Sequence, residues 1–208
     1  MFKKQIERLI EELKLMGIKD EKVLEVIKKI PRHKFILENY LSEAYANYPL
    51  SIGYNQTISQ PYTVAFMLQS LELKKNDKVL EIGTGSGWNA ALISEIVKPG
   101  KVYTTEIIKE LVEFAKKNLK DYKNVKVIYS DGSQGLKEYE PYSKIIVTAG
   151  CPEIPKPLIE QLKPNGILVA PVGSYSQKML KITKNKQLKI QELGDFVFVP
   201  LKGKFGFS

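Results

Sequence analysis

Apolar positions recur at helical spacing at the start of the chain. Ile6, Leu9, Ile10, Leu13 and Met16 fall on one face, and Gly17 follows as a C-terminal cap. Asp20 is placed to cap a second helix carrying Val23, Val26, Ile27 and Ile30, which Pro31 stops. A third, weaker helical stretch is expected around residues 34 to 45. Pro61 then suits the first position of a helix through Val64, Ala65, Leu68 and Leu71.

From Asp77 the pattern changes to short apolar runs alternating with amphipathic helices. "KVLEIG", "KVYTTE", "VKVIYS", "KIIVTA" and "GILVAPVG" read as buried strands, and "WNAALISEIV", "IKELVEFAKKNL" and "PKPLIEQL" as helices between them. Such alternation predicts an α/β fold: a doubly wound, Rossmann-like, mostly parallel sheet with helices on both faces. In the tail, "KMLKITKNKQLK" reads as a hairpin with one wet face and a turn near Asn185, and "DFVFVPL" is expected to add to the antiparallel edge strands. At 208 residues the chain is sized for one domain, residues 1–208. Within it, 1–60 form an N-terminal helical region, 61–173 the sheet core and 174–208 the C-terminal hairpin and last strand.

Composition narrows the class. With 43% hydrophobic and 26% charged residues, neither disorder nor a disulfide scaffold is favoured. The single Cys and the lack of a signal-peptide pattern point to a reducing, cytoplasmic compartment, and no apolar run approaches the roughly 20 residues a membrane span needs. The net charge of +9 raises the question of nucleic acid. The lysines are scattered, however, and interleaved with glutamates in the first third. The densest group, Lys178, Lys181, Lys184, Lys186 and Lys189, alternates with Leu180, Ile182 and Leu188 and lacks aromatic or Arg neighbours. No nucleic-acid, membrane or metal partner is expected, and a monomer is.

"VLEIGTGSGWN" places Gly83, Gly85 and Gly87 between the first core strand and its helix, where glycine lets the backbone turn tightly and approach a ligand beside unpaired helix N–H groups. A dinucleotide fingerprint would want glycine where Trp88 stands, and no Lys-Ser or Lys-Thr follows to make a Walker loop. The remaining form, E-x-G-x-G-x-G with Glu81 at its head, resembles motif I of the S-adenosylmethionine-dependent methyltransferases. Glu106, ending the next strand, is placed to accept both ribose hydroxyls. Asp131, after the third strand, is placed to accept from the adenine amino group, with Gly132 leaving room for the ring.

Ahead of this loop lies "SIGYNQTISQP", residues 51 to 61, with no charge in a Lys-rich chain. "YPLSIGYNQTISQPYTVAFM" resembles a stretch shared by the protein-L-isoaspartate O-methyltransferases. So do "IPRHKF", the block from "DGSQGLKEYEPYSKIIVTAG" to "PVG", and "FVFVPLKGKFG", in order over roughly residues 30 to 206. The chain departs from the family pattern at Tyr62, Gly150, Cys151 and Lys202. The resemblance implies methyl transfer from S-adenosylmethionine, leaving S-adenosylhomocysteine, to the free carboxylate of L-isoaspartyl and sometimes D-aspartyl residues in damaged proteins. The ester then collapses to a succinimide, which reopens partly to aspartate.

By the same resemblance Thr57, Ile58 and Ser59 cover the cofactor, Thr84 and Ser86 share the glycine loop's role in binding it, and Ile52, Val199, Pro200 and Leu201 line the peptide groove with Ser59. Ser59 is the candidate catalytic residue, donating its hydroxyl to one substrate oxygen. A carboxylate of pKa about 4 is already ionised at neutral pH, so no general base is required. The sole histidine, His33, is therefore read as a surface or capping residue. The alternative for Thr57 and Ser59 is that they stabilise the turn before Pro61 by local side-chain to backbone bonds. Two rival functions stay open: an RNA or other nucleic-acid methyltransferase, suggested by the charge and by Cys151 after the fourth strand, and a cofactor-binding interaction module without an acceptor site.

Overall fold

Two amphipathic helices, α1 (Lys3–Leu15) and α2 (Glu21–Lys29), open the chain in a computed structural model that describes residues 2–207. Gly17 adopts φ +95°, letting its own N–H reach Lys14 O and the Ile18 N–H reach Leu13 O, both at 3.0 Å, which satisfies the end of α1. The Asp20 carboxylate accepts the Lys22 N–H at 3.0 Å and starts α2.

The expected third helix is replaced by two 3₁₀ turns, Arg32–Lys34 and Glu38–Glu43. The buried residues here come as adjacent pairs, Phe35 with Ile36 and Ala44 with Tyr45, so no continuous apolar stripe exists for an α-helix to bury. His33 is half-buried, stacked on Phe2 with ring centroids 4.3 Å apart and 2.7 Å from the Tyr45 hydroxyl. It is a partly exposed residue of the aromatic packing and caps no helix through its side chain.

The uncharged segment forms a small hairpin, β1 (Leu50–Gly53) and β2 (Gln56–Ile58), turned by Tyr54 and Asn55 at φ +54° and +56°. Positive φ at both central residues matches the right-handed twist of the paired strands. Helix α3 (Pro61–Leu71) follows, with Pro61 at its start.

The core alternates β3 (Lys78–Ile82), α4 (Trp88–Val97), β4 (Lys101–Glu106), α5 (Lys109–Asn118), β5 (Val125–Tyr129), β6 (Tyr142–Val147), α6 (Lys156–Gln161) and β7 (Leu162–Val172). Strands β8 (Gln177–Lys184) and β9 (Leu188–Phe196) complete a seven-stranded sheet of order β5-β4-β3-β6-β7-β8-β9. The first five are parallel, and β8 and β9 are antiparallel additions, as the pattern predicted. Strand alternation sends Val79, Ile146, Val169 and Met179 to a face covered by α1 through α5, and Leu80, Ile145, Leu168 and Ile182 to a second core with Leu158 of α6. Helices thus cover both faces, but the second only through one short helix and 3₁₀ turns.

The terminal "DFVFVPL" departs from its expectation. Only Asp195 and Phe196 belong to β9; residues 197–201 cross over the end of β6, where Gly150 N donates to Val199 O and Leu201 N to Gly150 O, each at 2.8 Å. Pro200 has no N–H for a ladder, and the segment makes only a parallel bridge to Gly150.

Candidate active site

Chain order β3, β4, β5 runs outward from the sheet centre, and the chain then returns to place β6 on the other side of β3. Loops after β3 and β6 therefore diverge at a topological switch point, where open α/β sheets bind ligands. A pocket of about 950 Å³, including solvent at its mouth, opens there. Its floor is Ile82 to Ser86, with Trp88 and Asn89 of α4. Thr105 to Ile108, Ser130 and Gly132 form one side, and Gln56 to Ser59 with Val64 and Met67 another. Thr148, Ala149 and Val199 to Lys202 close it.

The glycine loop is shaped by its neighbours. Gly83 N and Thr84 N donate to Thr105 O at 2.9 and 3.0 Å, and Thr148 Oγ1 donates to Gly83 O at 2.7 Å, stitching β3 to both adjacent strands. Gly85 lines the pocket, and a Cβ on it would meet nothing nearer than Ile52 Cδ1 at 3.4 Å. Gly87, at φ +89°, starts α4 and packs where a Cβ would lie 2.8 Å from Leu119 Cδ1. It shapes the loop from behind and does not line the pocket.

Glu106 lines the pocket and organises it: Oε2 accepts from Gly85 N at 3.0 Å, and Oε1 from Ile107 N and Ile108 N at 2.9 and 3.0 Å. Of the four lone-pair sites of a carboxylate, three are engaged, leaving one on Oε2 for a ligand.

Glu81 and Asp131 stand behind the wall, not in it. Glu81 shares the strand face of Val79, where Asn89 Nδ2 of α4 donates to it at 2.7 Å and Thr104 Oγ1 of β4 at 2.5 Å. It is wholly buried, and burial pushes its carboxyl up to about 7, the two hydrogen bonds opposing that rise. Asp131 caps the 3₁₀ turn Gly132–Gln134: Oδ1 accepts from Ser133 N and Oγ, and Oδ2 from Gln134 Nε2 and Lys204 N. All four of its acceptor sites are taken, which leaves none for an adenine amino group. Those bonds hold its carboxyl below the usual range against burial, the largest single influence, which acts to raise it. Asp131 thus ties the loop after β5 to the C-terminal segment that walls the pocket.

Of the residues singled out in the sequence, Thr57, Ile58, Ser59, Gly83 to Ser86, Gly132 and Val199 to Leu201 line the pocket. Ile52 does not; it is buried, with its Cδ1 3.4 Å from where a Cβ on Gly85 would stand. Ser59 Oγ and Thr57 Oγ1 make no hydrogen bond to any described residue, so the local turn-stabilising bonds of the alternative reading are absent. The helix entry is secured by Gln60 instead, through Asn47 O at 2.9 Å and Thr63 Oγ1 at 3.1 Å.

Sequence reasoning missed Asn89. Its Oδ1 is buried without a partner while its Nδ2 is held by Glu81. An orphaned acceptor in this wall fits the ammonium of a methionyl group, and the open side of Gly85 fits close approach of a ligand. The residues present therefore fit S-adenosylmethionine. Glu106 and Lys202 are the only charged residues lining the pocket among those described. Cys151 is outside it, fully buried, its thiol pushed by burial up to about 12, which makes it inert. The groups of ≥ 3 His, Cys, Asp or Glu that could hold a metal ion number none among the described residues, and none of the described helices is long and apolar enough to cross a membrane.

Comparison with known proteins agrees with this geometry. The family model for protein-L-isoaspartate(D-aspartate) O-methyltransferase matches residues 4–206. The chain is 53% identical over 207 residues to a protein-L-isoaspartate O-methyltransferase of Pyrococcus horikoshii, covering 96% of this chain and 94% of that one. It is 52% identical over 193 residues to the protein of that name in Methanosarcina mazei, covering 90% and 79%. Among solved structures, a beta-aspartate methyltransferase from Plasmodium falciparum in complex with S-adenosyl-L-homocysteine superposes with a TM-score of 0.85 at 31% identity, covering 94% of this chain and 97% of that one. With a match along nearly its whole length, the chain belongs to the protein-L-isoaspartate(D-aspartate) O-methyltransferase family.

Proposed function

We propose that this protein is a repair enzyme that methylates the free carboxylate of L-isoaspartyl residues in damaged proteins, using S-adenosylmethionine. The observation that carries the assignment of its acceptor side is that the uncharged Gln56 to Ser59, with the unbonded Ser59 hydroxyl, line the same pocket as the glycine loop. When bound, the cofactor supplies an electrophilic methyl group and leaves as S-adenosylhomocysteine.

The chain's own residues orient and shield. Asn89 Oδ1 and the free site on Glu106 Oε2 are the acceptors for the cofactor, with Gly83 to Ser86 giving it close backbone approach. Thr57, Ile58 and Ser59 are read as its cover and Val199 to Leu201 as the other wall of the groove, a reading supported by their all lining this pocket. Ser59 Oγ donates to one oxygen of the substrate carboxylate, leaving the other oxygen free to attack. A neutral donor suits this task, because a direct salt bridge to Lys or Arg would make the carboxylate a weaker nucleophile. Catalysis then rests on alignment, which is worth roughly 7–11 kcal/mol in favourable cases.

The same reading takes the protein as a cytoplasmic monomer of one domain that does not act on nucleic acid. In its support, α1 and α2 share the core of α3 and α4. Three lysines of the densest basic cluster are engaged within the protein: Lys178 with Asp195, Lys181 with Glu72, and Lys184 with the carbonyls of Ile159, Glu160 and Leu162.

The test is transfer of labelled methyl to an isoaspartyl peptide, with the aspartyl peptide and tRNA as controls. Labelling of tRNA alone would overturn the reading. Ser59→Ala is expected to lower kcat/KM for the isoaspartyl peptide roughly 10- to 100-fold, the value of one hydrogen bond to a charged group. Affinity for S-adenosylhomocysteine and Tm should barely change. Unchanged turnover would leave Ser59 as a passive wall.

A further inference from the structure

Arg32 is fully buried, yet no carboxylate of the described residues pairs with it. Its guanidinium is instead ringed by carbonyls. Nη1 donates to Ala44 O at 3.0 Å and Ala46 O at 3.4 Å, and Nη2 to Tyr48 O at 3.1 Å and Ser59 O at 3.2 Å. Its Cζ lies 5.6 Å from the ring centroid of Trp88, the first residue of α4 and part of the pocket wall. Burial lowers its pKa to about 10, with Tyr45 and Tyr48 opposing the shift, so it stays charged at neutral pH.

Ser59 directly follows β2, and Tyr48 precedes β1 by two residues, so both flank the root of the β1–β2 hairpin. One nitrogen therefore staples the root of the hairpin, while its tip at Tyr54 is exposed. The planar fork is what lets one side chain reach four carbonyls; a lysine ammonium has three donors at a single point. Burying an unpaired cation is costly, and an apolar side chain would fill the space without that penalty. The return lies in geometry: the peptide that carries Ser59 is fixed relative to Trp88 and hence to the glycine loop.

We infer that Arg32 is a positioning residue for methyl transfer, acting through the Ser59 carbonyl to set where the Ser59 hydroxyl stands in the pocket. This deepens the proposed function and rests on its reading of Ser59.

The test is kinetic, on the full chain, with Arg32→Lys, Ser59→Ala and the double variant. Arg32→Lys is expected to lower kcat for an isoaspartyl peptide roughly 10- to 100-fold, the effect of misplacing a reacting group by about 1 Å. Its Kd for S-adenosylhomocysteine should move by less than about threefold, since the glycine loop and Glu106 are held by other bonds. In the Ser59→Ala background the same substitution should leave kcat nearly unchanged. Arg32→Met, which removes the charge and keeps most of the volume, should repeat the split if Arg32→Lys folds poorly.

A fall in Tm with kcat of the folded protein intact would overturn the inference. So would equal kcat losses in the two backgrounds, which would make Arg32 independent of Ser59. If Ser59→Ala alone leaves kcat unchanged, the reading of Ser59 fails, and the inference about Arg32 falls with it, a result distinct from either of the others.

Discussion

Glu81 offers a prediction in which sign and size both come from the structure. Its carboxyl is raised from an ordinary value of 4.5 to about 7, chiefly by burial, with the Glu106 charge adding a smaller push. A rise of that size corresponds to about 3 kcal/mol. Between pH 4.5 and about 7 the folded protein keeps a proton that the unfolded chain has released, so stability falls as pH rises through this window. The contribution is fully present below pH 4.5 and lost above about 7. Glu81→Gln removes the titration while keeping the shape: its oxygen accepts from Asn89, its amide donates to Thr104, and Thr104 turns its hydroxyl toward Thr84, now 2.6 Å away. In ligand-free protein the variant should match wild type near pH 4.5. At pH 8 it should exceed it by up to about 3 kcal/mol, or about 6–12 °C in Tm for a chain this size. Thermal unfolding followed by circular dichroism across pH 4.5 to 8 measures this. A difference between the two proteins that is the same at every pH would refute the argument, because Glu81 would then not be the group that titrates.

Other expectations follow from single contacts. Glu106→Ala removes the acceptor for three backbone N–H groups and a pocket carboxylate, and should weaken S-adenosylhomocysteine binding about 10- to 100-fold by titration calorimetry; unaltered affinity would remove it from the site. Asp131→Ala frees Lys204 N, and should raise KM for the peptide more than Kd for S-adenosylhomocysteine while costing about 2 kcal/mol of stability. Equal changes in the two constants would argue against its tie to the groove wall. Cys151→Ala should retain full methylation at a cost of about 1 kcal/mol from the small cavity, and a loss of turnover in the folded variant would revive a role for the thiol.

Sheet and cofactor side were legible in the sequence because their signals are local. Strand and helix periods in residues 77–172 each depend on one element's own face, and the glycine loop must stand between a strand and a helix to work. The uncharged 51–61 stretch and the ordered motifs were enough to indicate the acceptor.

What only the tertiary structure decided was the partner of each polar group. Glu81 and Asp131 sit in sequence where cofactor ligands would, but their carboxylates turn to Thr104 and Asn89, and to Ser133, Gln134 and Lys204. Arg32 looks like any basic residue after Pro31, and becomes a clamp because residues 44, 46, 48 and 59 bring their carbonyls around it. Ile52 reads as a groove residue and is buried outside the pocket, near Gly85. Periodicity fixes which face an apolar side chain buries. A buried polar group must find its partner wherever the fold brings one within about 3 Å, and that partner is set by chain segments distant in sequence.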